Sequence, residues 1–310
     1  MRIFDAHCDA LLKLWEDPAR EYTDDPAIEA NAVRLMEGGV RAQCFAIFVG
    51  PNIPFDQKFQ VALQQAELFH EKILKKHPQF SFIERWDDLL TLDADQIGAI
   101  LTLEGADPFG DDPTKLKTLY RLGVRSLGLT WNQANLCADG VGEPRGGGLT
   151  EWGKAVVSLN NEHHVLTDVS HLSERGFWDV IEYAQFPVAT HSNAKAICKH
   201  RRNLTDAQLK ALIEAGGFIG IVFHPHFLTG TDDASIDDVM KHIEHICSLG
   251  GQKHVGFGSD FDGIPCFVDG LEHAGRFQWF MDELLKRYDE ELVRGFAWDN
   301  FLKATPISYV

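Results

Sequence analysis

No stretch of this 310-residue chain approaches the ~20 consecutive apolar residues of a membrane-spanning helix. Its first residues, Met1-Arg2-Ile3-Phe4-Asp5, carry no apolar signal core, and Ala304 to Val310 lack the apolar tail of a lipid-anchor signal. The expectation is a cytoplasmic protein with no membrane partner. Basic residues are also scarce, with 29 Lys and Arg against 46 Asp and Glu and a formal net charge of −17 at pH 7. Phosphate backbones need a basic face, so nucleic acid is excluded as a partner. Paired cysteines are missing too. The six, at positions 8, 44, 137, 198, 247 and 266, show no CxxC spacing and read as reduced, mostly buried thiols. There is no Pro/Ser-rich linker and no low-complexity run at which to divide residues 1–310, so the chain reads as a single domain.

What is present is core-forming material, 45% hydrophobic residues at a mean hydropathy of −0.17. Eight short β-branched or aromatic runs bounded by turns predict strands: 2–5, 44–49, 97–104, 125–131, 165–170, 187–191, 218–223 and 254–260. Helical spacing of apolar residues lies between or after them at 59–76, 206–215, 237–249 and 271–288, with Thr205 and Gln208 in capping-box relation. Strands alternating with helices predict one closed (β/α)8 TIM-type barrel, with a doubly wound open sheet as the rival. The run from Asn132 to Gly153 is glycine-rich but matches no phosphate-binding fingerprint, and reads as a mobile loop over the site.

Ionisable residues gather where these strands end. His7 and Asp9 follow the first, Glu104 ends the third, His171 follows the fifth, His191 ends the sixth and Asp260 ends the eighth. A barrel would bring all six to the rim where such folds keep their chemistry. In His7-Cys8-Asp9, residues two apart on an extended chain point the same way, roughly 6–7 Å apart at Cα, with Cys8 facing away. Asp5, one step deeper in phase, reads as a partner supporting that pair. A single HxD is common; six such groups on five strands are not.

Three imidazoles and two carboxylates suit zinc better than magnesium or calcium. Five ligands exceed one open catalytic zinc but fit two ions about 3.5–4 Å apart sharing a carboxylate. Glu104 is the natural bridge, and a water between two cations is a hydroxide near neutral pH. Asp260, in Gly258-Ser259-Asp260-Phe261-Asp262-Gly263, is placed to take a proton from that nucleophile and pass it to a leaving amine. Asp262 reads as a turn residue satisfying local N–H groups. Adjacent arginines are usually surface charge, yet one of Arg201-Arg202 beside a metal pair can fork onto a substrate carboxylate. His224-Pro225-His226 reads as pocket lining, and His163-His164, His242 and His245 as residues away from the rim.

These segments resemble the membrane (renal) dipeptidase family, zinc peptidases of the amidohydrolase-like barrel group. The similarity runs through Phe4-Asp5-Ala6-His7-Cys8-Asp9, Leu103-Glu104-Gly105, Asp168-Val169-Ser170-His171 and Thr190-His191-Ser192-Asn193-Ala194. It continues through Arg201-Arg202-Asn203 and His254-Val255-Gly256-Phe257-Gly258-Ser259-Asp260. The resemblance implies two zinc ions, with His7 and Asp9 on one, His171 and His191 on the other, and Glu104 bridging. It implies Asp260 as the acid/base group and Arg202 as the clamp on a dipeptide's terminal carboxylate. It also implies substrates with free amino and carboxyl termini, often with a C-terminal D-residue, and in some members dehydropeptide or carbapenem-type bonds.

One departure stands out. The animal enzymes carry a histidine after the fourth strand that contacts the scissile carbonyl oxygen; here Trp131-Asn132 occupies that stretch. Losing such a donor costs roughly 3–4 kcal/mol of transition-state stabilisation. Asn132 is the candidate replacement, with zinc polarisation alone as the alternative. Two rivals remain: a barrel hydrolase acting on a lactone, an amino group or a phosphoester, and a metal-binding protein without turnover. The HxD pair and Glu104 favour the dipeptidase over barrels built on HxH and a modified lysine. A homodimer is compatible with the sequence but not demanded by it.

Overall fold

The computed structural model describes residues 1–307. Its strands are β1 (Ile3–Cys8), β2 (Val40–Phe48), β3 (Phe80–Phe82), β4 (Ile97–Glu104), β5 (Val124–Gly128), β6 (Leu166–Asp168), β7 (Pro187–Ala189), β8 (Phe218–Ile221) and β9 (Val255–Phe257). All pairings among them are parallel, in the order β2-β1-β9-β8-β7-β6-β5-β4. The ring closes where β2 pairs with β4 from Ala42 opposite Gly98 to Phe48 opposite Glu104. Eight strands thus form a (β/α)8 barrel and the open-sheet rival falls. The added β3 pairs only with the first residues of β4; three residues, Phe-Ser-Phe, are too few to show a period. No helix among the described residues is long and apolar enough to cross a membrane.

The barrel strands are buried on both faces, so they read as nearly continuous apolar runs, as in Ile97–Glu104. Phe4 and Ala6 of β1, Ala42 and Cys44 of β2, Ile100, Leu166, Val188 and Phe218 form an apolar cluster separate from the main core. Residues from six strands meet this way only inside the barrel. Phe301, on the helix Asn300–Ala304, plugs its N-terminal end and stacks on Phe4 with ring centroids 3.6 Å apart. The main core lies between the barrel and its helices.

Local signals account for the helix starts. Thr205 and Gln208 cap Asp206–Glu214 reciprocally, and Ser235 with Asp238 does the same for Ile236–Ser248. The helix expected over 271–288 begins as a short 3₁₀ turn, Ala274–Arg276, and continues as Phe277–Leu285. The one expected over 59–76 starts earlier, at Phe55, and passes into a π-turn at Phe69.

Several strands end sooner than their sequence suggests, because side chains replace the ladder at the rim. The Ser170 and Thr190 amides both donate to Asp168 Oδ1, at 2.9 and 3.0 Å, and the His191 amide donates to Ser170 Oγ at 3.2 Å. β1, by contrast, runs on through His7 to Cys8, with an irregularity between Asp5 and Cys8. The chain from Asn132 to Gly153 is tied down rather than loose. Asp139 receives Arg145 and the Gly147 amide, and Asp179 receives the Leu149 amide.

Candidate metal centre and peptide pocket

At the C-terminal end of the barrel, β1 delivers His7 and the following residue but one, Asp9. Asp9 stands at the N-cap of the helix Ala10–Glu16, where an aspartate normally accepts a backbone N–H, yet its side chain caps nothing. It turns inward, placing Oδ2 3.3 Å from His7 Nε2. Cys8 points the other way, into the core. From the end of β4, Glu104 turns its oxygens to opposite sides. Oε2 is 3.9 Å from His7 Nε2, while Oε1 is 3.0 Å from His171 Nε2 and 3.6 Å from His191 Nε2.

His171 and His191 are held by their other nitrogens. His171 Nδ1 donates to Asn132 Oδ1 at 3.0 Å. The Thr190 hydroxyl donates to Asp168, so its lone pair accepts His191 Nδ1–H at 2.8 Å. Both Nε2 atoms are therefore bare lone pairs, and they face each other 3.0 Å apart. Burial, with Arg202 nearby, holds both imidazoles well below the usual histidine pKa and so neutral, and His7 adds to the effect on His191. Burial opposes charge on His7 too, but Asp9, Glu104 and Asp260 outweigh it and raise its pKa to about 10.

Asp260 approaches from the turn after β9, with Oδ1 3.8 Å from His7 Nε2. Burial, reinforced by Asp9 and Glu104, pushes its carboxyl well above the usual range. His171 and Asp260 both have left-handed backbone, φ 68° and 65°, which costs of order 1–3 kcal/mol for a non-glycine residue and clusters at working sites. Gly263 completes the packing. A Cβ there would lie 2.3 Å from Asp9 Oδ2 and 2.7 Å from Asp260 Oδ1.

These donors fit divalent cations. His7 Nε2 and Asp9 Oδ1 are buried without a hydrogen-bond partner, and two imidazole lone pairs point at one another beside a carboxylate. Buried polar atoms left unpaired are costly, and a cation that displaces the His7 proton satisfies them together. Ligand atoms of His7, Glu104 and His191, and of His7, Asp9 and Asp260, each lie within 4.8 Å of one another.

Above them opens a cavity of about 320 Å³, walled by Phe48, Trp131, His200, Arg202, His224 and Phe227, among others. Arg202 is buried; its Nη2 donates to the His191 carbonyl at 3.1 Å, and its guanidinium lies 5.5 Å from the Phe227 ring. Its Nε has no partner. Arg201, beside it, is exposed. A larger cavity of about 570 Å³, near Trp86, Tyr120 and His164, holds none of these donors.

Asn132 lies on the pocket wall and gives its oxygen to His171, so it also orients a candidate ligand. Two expectations need correction. Asp5 does not touch the His7 ring; it accepts the Ser259 amide and hydroxyl at 2.8 and 2.7 Å, fixing the turn that carries Asp260. Asp262 receives the distant amides of Glu29 and Ala30, at 2.7 and 3.2 Å, rather than local ones. His224 lines the pocket as expected, but His226 does not. His200 and Phe227 carried no sequence signal, because they reach the pocket only through the folding of loops.

Comparison with known proteins is consistent along the whole chain. Residues 1–308 match the family described as membrane dipeptidase, peptidase family M19. A metallo peptidase of Rhodobacter sphaeroides, solved with a phosphinate mimic of the dipeptide L-Ala-D-Ala, superposes with a TM-score of 0.91 at 29% identity, covering 98% of each chain. The metallo peptidase described as dipeptidase AC, family M19, gives 0.91 at 30% identity, over 98% of this chain and 97% of that one. An uncharacterized dipeptidase of Schizosaccharomyces pombe is 31% identical over 293 residues, 88% of this chain and 70% of that protein. This chain belongs to the membrane dipeptidase family, peptidase family M19.

Proposed function

We propose that this protein is a zinc-dependent dipeptidase that hydrolyses dipeptides with free amino and carboxyl termini and tolerates a D-residue at the C-terminal position. The observation that carries the reading is Glu104, which offers one oxygen to His7 and the other to His171 and His191. His7 and Asp9 would hold one ion, His171 and His191 a second, and Glu104 both. Two zinc ions bound there supply an acidified water and a polarised scissile carbonyl.

The protein's own groups do the rest. Asp260, a carboxyl that burial makes reluctant to ionise, takes the proton of the attacking water and delivers it to the departing amine. Arg202, buried with Nε unspent, reads the substrate's terminal carboxylate and thereby sets its length. A cavity of about 320 Å³ suits two residues and not a longer peptide. The relative that holds an L-Ala-D-Ala mimic supports the tolerance for a D-residue.

The test compares free-acid and C-terminally amidated dipeptides, L,L and L,D, on zinc-reconstituted protein. Free acids are expected to be cleaved and amides poorly. Arg202→Ala should raise KM for the acids by roughly 10- to 100-fold, the worth of a charged hydrogen bond, and leave the amides as they were. Equal rates on acids and amides would overturn the carboxylate reading. Two bound zinc ions without turnover on any substrate would favour metal binding alone.

A further inference from the structure

A second group of ligating side chains comes together on the same rim, outside the metal centre. His226 lies on the short helix Pro225–Leu228 after β8, Asp232 in the loop that follows, and Cys266 in the loop after β9. One ligand atom from each lies within 4.8 Å of the others. His226 Nε2 is 2.7 Å from Asp232 Oδ1, and Cys266 Sγ is 3.7 Å from His224 Nδ1. The rings of His224 and His226 are 5.4 Å apart and nearly perpendicular, and His224 flanks the group through its contact with Cys266.

The loops that carry these residues are fastened around them. The Asp269 amide donates to the Ala234 carbonyl at 2.9 Å, joining the loop after β9 to the loop after β8. Thr229 and Thr231 hydroxyls both donate to the Asp233 carbonyl, at 2.9 and 3.1 Å, and hold the turn that presents Asp232. A histidine–aspartate surface pair would explain His226 and Asp232 on their own. It leaves unexplained a thiol, 40 residues beyond His226 in sequence, brought within ligating reach of the same pair, with the His224 imidazole against that thiol.

We propose that His224, His226, Asp232 and Cys266 form a separate binding site for a borderline-soft divalent cation of the zinc type. The three converging donors, an imidazole, a thiolate and a carboxylate, joined by the His224 imidazole beside the thiol, make a set suited to tetrahedral zinc and unsuited to calcium or magnesium. On binding, the Cys266 thiol releases its proton to solvent, and thiolate and carboxylate together balance the dication's charge. His224 also walls the peptide cavity, so an ion here fixes one side of the pocket.

Cobalt(II) provides the test, because sulfur ligation gives a near-ultraviolet charge-transfer band that nitrogen and oxygen donors do not. The metal centre proposed above contains no sulfur, so loading it leaves that region silent. Metal-free full-length protein, kept reduced with a phosphine, is titrated with cobalt(II). The wild type should develop the band to one equivalent per chain, and Cys266→Ser should lack it. His226→Ala, a change at a half-exposed side chain, should weaken the cobalt affinity read from the band by about tenfold or more. Absence of the band in the wild type, its persistence in Cys266→Ser, or unaltered affinity in His226→Ala would each overturn the site. Peptide turnover is not the readout, so the result stands apart from the fate of the dipeptidase reading.

Discussion

Nε2 of His171 and Nε2 of His191 face each other across 3.0 Å, each with its proton committed to the opposite ring nitrogen. Two lone pairs at that distance repel unless a positive charge lies beside them. The arrangement is imposed from behind, by Asn132 on one ring and by the Asp168–Thr190 pair on the other. Partners of this kind fix tautomer and orientation for a metal ligand.

Asn132→Ala therefore tests position against direct catalysis. Loss of the His171 hydrogen bond should weaken zinc binding by about 10- to 100-fold, as read by competition with a chelator of known affinity. Turnover should return when zinc is raised to saturation. A kcat that stays low at saturating zinc would instead make Asn132 a donor to the reacting carbonyl.

Asp260 separates binding from proton transfer. It sits 3.8 Å from His7, and Asp260→Asn removes the titrating group while nearly preserving shape. The expected result is two zinc ions retained by elemental analysis and kcat lowered by roughly 10²- to 10⁴-fold. Activity near wild type would remove Asp260 from the chemistry.

The barrel was legible because strands buried on both faces leave apolar runs, and Ile97–Glu104 was delimited to the residue. The convergence of His7, Asp9, Glu104, His171, His191 and Asp260 was legible because their positions relative to strand ends survive uncertainty of a residue or two. The partners behind them were not. Asp5 meets Ser259 across 254 positions, and Asp262 meets Glu29 across 233. No local pattern encodes such a pairing. Asn132 was visible as a polar residue near the site, but the direction of its amide is decided by how Gly140 and Gly142 pack over its backbone.

The stacked pair Phe4–Phe301 closes the far end of the barrel, and both rings are almost fully buried. Phe301→Ala would empty a site walled by Trp86, Phe218 and Trp298. A loss of about 3–5 kcal/mol is expected in denaturant unfolding. Zinc affinity of the folded protein should be unaffected, since the metal centre lies at the opposite end. A loss below 1 kcal/mol would mean that the plug is not part of the cooperative fold.

His242 links the pocket loop to pH. Its Nδ1 accepts the Ala194 amide at 3.1 Å and its Nε2–H donates to the Leu228 carbonyl at 3.0 Å, so the folded chain needs the neutral ring. Burial lowers its pKa below the ordinary histidine value of 6.5. The unfolded chain then binds a proton that the folded chain refuses, and stability falls as pH drops through 6.5 toward the folded value. His242→Gln keeps one acceptor and one donor but cannot titrate. Between pH 7.5 and 5.5 the metal-free wild type should lose more Tm than His242→Gln does. Equal losses would show that the pH dependence arises from the other buried histidines and that the Ala194–His242 bond does not report protonation.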